Sequence, residues 1–298
     1  MPDIVTMSAS HSSNQPSGAV DGTQPSPDSE LMSVGASTLP PSLVEVDGQA
    51  VNVLDLAHAV ELVTQMSARR HSFLVCTLNL DHLMKLRRDP EFRRAYARAA
   101  LVTADGFPIV TLSRIRGCQL QRAAGSDFIE PLCAAAAQND LPIFLVGSTF
   151  SVLSATARRL IASFPGLEIA GVYAPSSGFS ILSPSADEAL TLIRESGARL
   201  CFIALGAPLQ EAFALRALDE TAGVAFLPIG AGLDFLAGAQ VRAPLWLQKM
   251  NLEWAWRLIK DPKRLWLRYV QCGFLFAELL LKEMWDAIVR RLASRGRL

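Results

Sequence analysis

A carboxylate placed to act as a base follows one of the apolar runs of this 298-residue chain. Asp105 stands between Ala104 and Gly106, directly after the run Leu101–Thr103. At the mouth of a cleft, such a carboxylate can accept the proton of an attacking hydroxyl group, which is general-base chemistry. The spacing also fits a plainer role, in which Asp-Gly makes a turn or Asp105 caps a helix that begins at Pro108. The spacing alone leaves both interpretations open.

Small and polar residues follow the other apolar runs. Thr77 and Asn79 lie two apart, so at an extended strand end they face one side and can present a hydroxyl and an amide to one ligand. Turns that lead into helices also leave backbone N–H groups that can meet a phosphate. These turns contain Gly147, Ser148 and Thr149, then Gly206, Pro208 and Gln210, then Gly230, Gly232 and Asp234. Satisfied strand ends and ordinary helix starts are the alternative reading.

Several common site motifs are missing from the sequence. Gly230-Ala231-Gly232 starts like a dinucleotide fingerprint, but Phe235 occupies the position of the third glycine, which argues against a nicotinamide oxidoreductase. There is no phosphate-binding G-x-x-x-x-G-K-[ST] loop, no H-E-x-x-H, no G-x-S-x-G and no Asp-x-Asp. The five cysteines show no metal-ligand spacing. We therefore expect no metal and no other cofactor.

The elements that must position these residues alternate between apolar runs and helical patterns. The runs read as buried strands, and the helical patterns between them are long enough to connect parallel strands. The runs are Phe73–Leu78, Ile143–Val146, Leu200–Leu205 and Val224–Ile229, and the helical patterns are Phe128–Gln138, Phe150–Ser163, Ala186–Glu195 and Pro208–Glu220. The sequence predicts an α/β fold, a Rossmann-like, mostly parallel sheet with helices on both faces. Its ligand would lie beyond the carboxyl ends of the strands.

Composition divides the chain into three segments. Half of the residues are hydrophobic, which excludes a wholly disordered chain. Residues 1–42, rich in Ser and Pro without Lys or Arg, are predicted to be a disordered leader, and they lack the features of a secretory signal. Residues 43–243 form the predicted α/β catalytic domain. Residues 244–298 form a predicted basic, amphipathic helical appendage.

The appendage suggests a partner with negative charge and an apolar side. Residues 242–298 carry 12 basic and 5 acidic side chains, although the whole chain has 28 of each. Asp261 and Pro262 predict a helix start, with the helix running to about Leu292. Its apolar arc is too wide for a surface helix, and charges interrupt it too often for a membrane span. Docking on an anionic membrane surface is the favoured interpretation, and packing on its own domain or in a subunit interface is the alternative.

Taken together, the ordered motifs resemble the WecG/TagA/CpsF glycosyltransferases, or glycosyltransferase family 26, over about residues 44–270. They are Thr77-x-Asn79, Ala104-Asp105-Gly106-x-Pro108, Arg122-x-x-Gly125-Ser126-Asp127, Gly206-x-Pro208-x-Gln210-Glu211, Gly230-x-Gly232-x-Asp234-Phe235, Arg242-Ala243-Pro244, Leu252-Glu253-Trp254-x-x-Arg257-Leu258 and Pro262-x-Arg264-Leu265. The loop that ends in Gly178-Phe179 leans towards the exopolysaccharide-type glucosyltransferases called GumM.

This resemblance implies a reaction and a place for it. The reaction is inverting transfer of a hexose-type sugar, such as glucose or an N-acetylmannosamine-type sugar, from a UDP-sugar to a polyprenyl-diphosphate-linked saccharide. The enzyme would be cytoplasmic and peripheral on the inner face of the cell membrane, would have no nucleic-acid partner, and could form a homo-oligomer. A non-catalytic nucleotide-binding module at the membrane is the alternative function.

The resemblance also assigns roles to residues of this chain. Asp105 matches the base. Thr77, Asn79, Arg122 and Gln210 match residues that line the donor pocket. The strand-end turns described above add Gly147, Gly206, Gly232 and Asp234 to the predicted donor site. Arg257, Arg264 and Arg268 resemble tail arginines that complete the site, where their guanidinium groups could neutralise a leaving UDP or hold the lipid diphosphate of the acceptor. A solvated helix face is the alternative for these three.

Overall fold

The computed structural model describes residues 40–176, 178–244, 246–247, 250 and 252–295. Apart from its last three residues, the leader predicted for residues 1–42 lies outside the described residues. The strands are β1 (Val44–Val46), β2 (Gln49–Val51), β3 (Phe73–Leu78), β4 (Ala99–Ala104), β5 (Ile143–Gly147), β6 (Ile169–Tyr173), β7 (Leu200–Ala204) and β8 (Ala225–Pro228). The helices are α1 (Leu56–Ala68), α2 (Leu80–Arg88), α3 (Pro90–Arg98), α4 (Phe107–Ile115), α5 (Ile129–Gln138), α6 (Phe150–Ser163), α7 (Pro184–Glu195), α8 (Leu209–Glu220), α9 (Gly232–Leu236), α10 (Glu253–Lys260) and α11 (Pro262–Arg295).

Strands β3 to β8 form a parallel sheet in the order β4-β3-β8-β7-β5-β6. Strands β3, β5 and β8 are buried along their whole length, and β7 is buried up to its last residue, as expected for a sheet with both faces covered. The short hairpin β1–β2 is antiparallel and lies beside β4. The predicted Rossmann-like, mostly parallel sheet is therefore confirmed.

Apolar side chains cover both faces of the sheet. One core contains residues of α2, α3, α7 and α8, including Leu83, Phe92, Leu190 and Phe213. The other contains residues of α1, α5 and α6, including Val63, Leu132, Leu153 and Leu160. This is the predicted placement of helices on both faces, and it leaves the carboxyl edge of the sheet as the place where polar residues gather.

The register of β3 against β4 determines which residues meet at that edge. Leu78 pairs with Ala104, so Asn79 and Asp105, the next residue of each strand end, become neighbours. Strand β4 lies on one side of β3 in the sheet, whereas the next strand of the chain, β5, lies on the other side. The direction in which the chain winds through the sheet therefore changes next to β3. In open α/β sheets a crevice forms at such a switch point, beyond the carboxyl ends of the strands.

The tail helix α11 packs on the body through one of its sides. It begins at Pro262, as predicted, and contacts α2 and α4. Cys272, Leu275 and Leu279 are buried in this contact, and the first of them donates from its Sγ to Met84 Sδ, at 3.7 Å. The alternative prediction for the tail, that it packs on its own domain, is thus correct for one side of the helix. None of the described helices is both long enough and apolar enough to cross a membrane.

Candidate active site

Asp105 is positioned by the end of β4 and the turn into α4. Its backbone N–H donates to Leu78 O at 2.8 Å, and Gly106 takes a positive φ of +99° to enter the helix. Within the described residues its side chain has one hydrogen bond, and that bond does not go to the start of α4. The helix-cap interpretation of Asp105 is therefore wrong, and its partly buried carboxylate remains available at the edge of the sheet.

Asn79 is the hydrogen-bond partner of Asp105. Its Nδ2 donates to Asp105 Oδ2 at 3.2 Å, and its Oδ1 accepts from His82 N at 2.9 Å, which caps α2. The cap needs the oxygen of the carboxamide, so it turns the nitrogen towards Asp105. The structural role of Asn79 as the cap of α2 is thus observed, and the cap also orients its amide towards Asp105. Contact of Asn79 with a sugar donor stays a prediction.

The surroundings of Asp105 act on its pKa in opposite directions. Burial raises the pKa because it disfavours the charged form. The hydrogen bond from Asn79 lowers it, as do the charges of His82, Arg122 and Arg257, but the net shift is upward. A carboxylate with a raised pKa is a stronger base than a fully solvated one, which suits removal of a proton from a hydroxyl group.

Positively charged side chains from three segments lie close to one another, and two of them, Arg122 and Arg257, are close enough to Asp105 to lower its pKa. Asp127 pairs with Arg122 at 2.8 Å and with Arg242 at 2.5 Å. The guanidinium carbons of Arg242 and Arg257 lie 6.0 and 5.5 Å from the centre of the Phe235 ring. We call Arg122, Arg242 and Arg257 the arginine cluster. Since two of its members share one carboxylate, the cluster keeps an excess of positive charge.

Arg242 and Asp127 are residues that sequence reasoning left without a role. Both lie in quoted motifs, Arg242-Ala243-Pro244 and the segment that ends in Gly125-Ser126-Asp127, and this was the only signal for them. Their contact joins residues 115 positions apart. The buried Nε of Arg242 has no hydrogen-bond partner within the described part of the chain.

The glycines predicted for the donor site are each explained by the local backbone geometry or packing, independently of any ligand. A Cβ on Gly147, whose φ is +108°, would lie 2.3 Å from Ala204 O, so the ends of β5 and β7 need this glycine to approach each other. A Cβ on Gly232 would lie 2.6 Å from Ile129 Cδ1. Gly206 takes a φ of +76° just before the cis peptide Ala207–Pro208. These positions shape the edge of the sheet whatever binds there.

The other predicted donor residues lie at the same edge. Asp234 accepts from Ser148 Oγ at 2.7 Å, which joins α9, the helix after β8, to the turn after β5. Gln210 is buried at the start of α8, which follows β7. Thr77 is also buried, and its carbonyl oxygen accepts a hydrogen bond from Tyr96 Oη at 2.8 Å. Their common location agrees with the prediction, whereas direct contact of each with a ligand remains a prediction.

The three tail arginines are in different surroundings. Arg257 pairs with Glu253 at 2.5 Å and is close enough to Asp105 to lower its pKa. Arg264 is 76% exposed and pairs with Asp261, which matches the solvated-face alternative. Arg268 lies 3.9 Å from Asp81, next to α2. The structure thus brings only Arg257, of these three, into the arginine cluster.

An open groove of about 730 Å³ runs between α1 and α5. Arg122 lies along it, but Asp105 does not. The described residues contain no group of three or more His, Cys, Asp or Glu side chains that could hold a metal ion. Independence from metal stays a prediction for the reaction.

Asp105 and the arginine cluster lie at the carboxyl edge of the sheet, where α/β enzymes bind their ligands. The family model of the glycosyl transferase WecG/TagA/CpsF family matches residues 44–289 of this chain. The chain therefore belongs to this family, as its motifs indicated. It is a glycosyltransferase of cell-surface polysaccharide biosynthesis, and the family suggests a nucleotide-sugar donor and a lipid-linked acceptor.

Proposed function

We propose that this chain transfers a hexose-type sugar from a UDP-sugar to a saccharide on a polyprenyl diphosphate, with inversion at the anomeric carbon. Asp105 takes the proton of the acceptor hydroxyl while the oxygen attacks the anomeric carbon and the bond to UDP breaks. A single displacement inverts the configuration. Glucose and N-acetylmannosamine-type sugars are the donors to test first.

The observation that carries this proposal is the position of Asp105. The side chain is partly buried at the carboxyl edge, is held by Asn79 and has a raised pKa. The arginine cluster supports the second half of the reaction, because guanidinium groups can neutralise the charge that develops on a leaving diphosphate. Such cations would do the work of a metal in this reaction.

The direct test is Asp105→Asn in an assay of UDP release with a panel of UDP-sugars and a short-chain prenyl-diphosphate saccharide. We expect the rate to fall by about a hundredfold or more, because removal of a general base costs roughly two to four orders of magnitude. Asp140→Asn is the matched control: this aspartate is exposed, and its φ of +50° is one that asparagine tolerates. Full activity of Asp105→Asn would favour the non-catalytic nucleotide-binding module instead.

We further propose that the tail docks on the inner face of the cell membrane. On the side of α11 opposite its packed side, large apolar side chains are exposed. We call this set the apolar tail surface: Trp266, Val270, Phe274, Leu281 and Trp285. With the basic excess of residues 242–298, it combines the two features that bind a helix to an anionic bilayer.

Sedimentation with vesicles tests this docking. We expect the full chain to bind vesicles rich in anionic phosphatidylglycerol, and the double variant Phe274→Ser/Trp285→Ser to remain in the supernatant. Leu182→Ser is the matched control, since Leu182 is 83% exposed but lies on the body. Equal sedimentation of all three proteins would contradict docking through this surface. A shift to smaller oligomers in the double variant would instead assign the surface to a second copy of the chain.

A further inference from the structure

The side chain of Gln210 is held at both ends. Its Oε1 accepts from Gly230 N at 3.1 Å, and its Nε2 donates to Glu211 Oε1 at 2.8 Å. Gln210 and Glu211 are only 4% and 1% exposed. We call this arrangement the Gln210–Glu211 clasp. It joins the first turn of α8 to the turn after β8.

The chemistry of the two partners fixes which way the carboxamide points. The backbone N–H of Gly230 can only donate, so it needs the oxygen of Gln210. The carboxylate of Glu211 accepts, so it needs the nitrogen. Without Glu211 the nitrogen would lose its acceptor, and nothing in the clasp would hold the carboxamide in this orientation.

Glu211 occupies this place at a cost. Its second oxygen, Oε2, is buried and has no hydrogen-bond partner, and the described residues contain no cation paired with this carboxylate. A buried carboxylate with an unsatisfied oxygen disfavours the folded state. Glu211 nevertheless lies one residue after Gln210, in the first turn of α8. An apolar residue at this position would avoid the cost of burying an unsatisfied carboxylate oxygen.

We propose that Glu211 is a positioning residue, which acts through Gln210 to hold the turn at Gly230. That turn leads into Gly232 and Asp234, and Ser148 holds the latter from the neighbouring turn. Gln210 then serves the site through the backbone of Gly230 and not by touching the sugar donor. The catalytic consequence rests on the proposed function, because it requires the donor to bind at these turns.

Amide hydrogen exchange of the Gly230 region tests the clasp without any substrate. We expect Glu211→Ala, Gln210→Ala and the double variant to speed exchange at Gly230 by the same factor, about tenfold or more, because each breaks the same hydrogen bond. Glu211→Gln, which keeps an acceptor oxygen, should change the exchange rate less than about threefold. Unchanged exchange in Glu211→Ala, or effects of the two single variants that multiply in the double variant, would overturn the proposal.

Glu283→Ala is the matched control. Glu283 is also a buried glutamate with an unpartnered Oε2, but it lies on α11 and pairs with Arg116 at 2.6 Å. Exchange at Gly230 should not change in this variant, and a change would show that loss of any buried carboxylate loosens the turn.

Kinetics supply the second readout. In Glu211→Ala we expect the KM for the UDP-sugar to rise about tenfold with kcat within about threefold, because a displaced turn weakens donor binding in the ground state and the transition state alike. A lower kcat with an unchanged KM would contradict a positioning role at the donor. If the wild-type protein turns over no UDP-sugar, the proposed function fails, and the exchange experiment still decides the clasp.

Discussion

Burial of Asp105 gives the site a stronger base and costs the fold some stability. Because its pKa is raised in the folded state, the folded chain binds more protons than the unfolded chain between the two pKa values. The contribution of Asp105 to stability therefore falls as pH rises through that interval, and the loss persists at neutral pH.

We predict that Asp105→Asn is more stable than the wild type at pH 7. The advantage should disappear below about pH 3.9, the ordinary carboxyl pKa, because Asp105 is then protonated in both states. Urea unfolding at the two pH values measures the difference, with Asp140→Asn as the control. A stability gain of equal size at both pH values would mean that the charge of Asp105 is not its source.

The hydrogen bond from Asn79 predicts a pH effect on catalysis. Asn79→Ser keeps a residue that caps α2 but removes the amide that lowers the pKa of Asp105. The pKa of Asp105 should rise, so the acid limb of the kcat/KM profile should move to higher pH. Asp89→Ser, a similar change at the cap of α3, should leave the profile in place. A shift to lower pH in Asn79→Ser would contradict this account.

At the residue scale, part of the site could be predicted from the sequence. Asp105 and Asn79 each follow an apolar run, and parallel pairing of neighbouring strands brings such ends together. The shared pairing of Asp127 with Arg122 and Arg242 could not be predicted, because the second contact depends on how the segment after α9 folds back. The electrostatic surroundings of a base are a tertiary property.

At the scale of elements, long buried strands and their connecting helices were predictable. Helix α6 has the bounds that the periodicity indicated, and β3 has the bounds of its apolar run. Strands β1 and β2 were not recognised because three residues are too few for a period. Strand β6 contains Gly171, whose missing side chain makes room for Phe144 and weakens the strand signal.

The helical wheel of α11 predicted a wide apolar arc but not its division. One side packs on the body and the other carries the apolar tail surface. Both sides consist of apolar residues, so hydrophobic periodicity alone does not distinguish the buried side from the exposed side. The choice between packing and docking therefore had no answer in the sequence.

We predict that Leu279→Ala loosens the packed side of α11. Leu279 is 2% exposed, and loss of such a side chain costs roughly 2–5 kcal/mol. Hydrogen exchange should become faster in α11 while it stays slow in β3 and β8. Leu281→Ala is the control, because Leu281 is 69% exposed on the other side of the same helix. Equal exchange changes in both variants would contradict the packing described for α11.

At the scale of the whole molecule, the charge asymmetry predicts salt-dependent membrane binding. Each basic residue near an anionic surface contributes about 1 kcal/mol, and salt screens this attraction. Binding of the full chain to phosphatidylglycerol vesicles should therefore weaken as salt increases from about 0.05 M to about 0.5 M, because the screening length shortens roughly threefold over that range. Vesicle sedimentation measures it, with vesicles of neutral lipid as the control. Binding that is independent of salt would assign the interaction to apolar contact alone.

The ring of Phe107 meets that of Phe276 at a centroid distance of 6.3 Å. Phe107 is two residues beyond Asp105, so this ring contact connects the tail helix to the chain segment that carries the base. Any displacement of α11 would alter the environment of that ring. An environment-sensitive fluorophore in its place would report, from beside the base itself, whether the tail is seated.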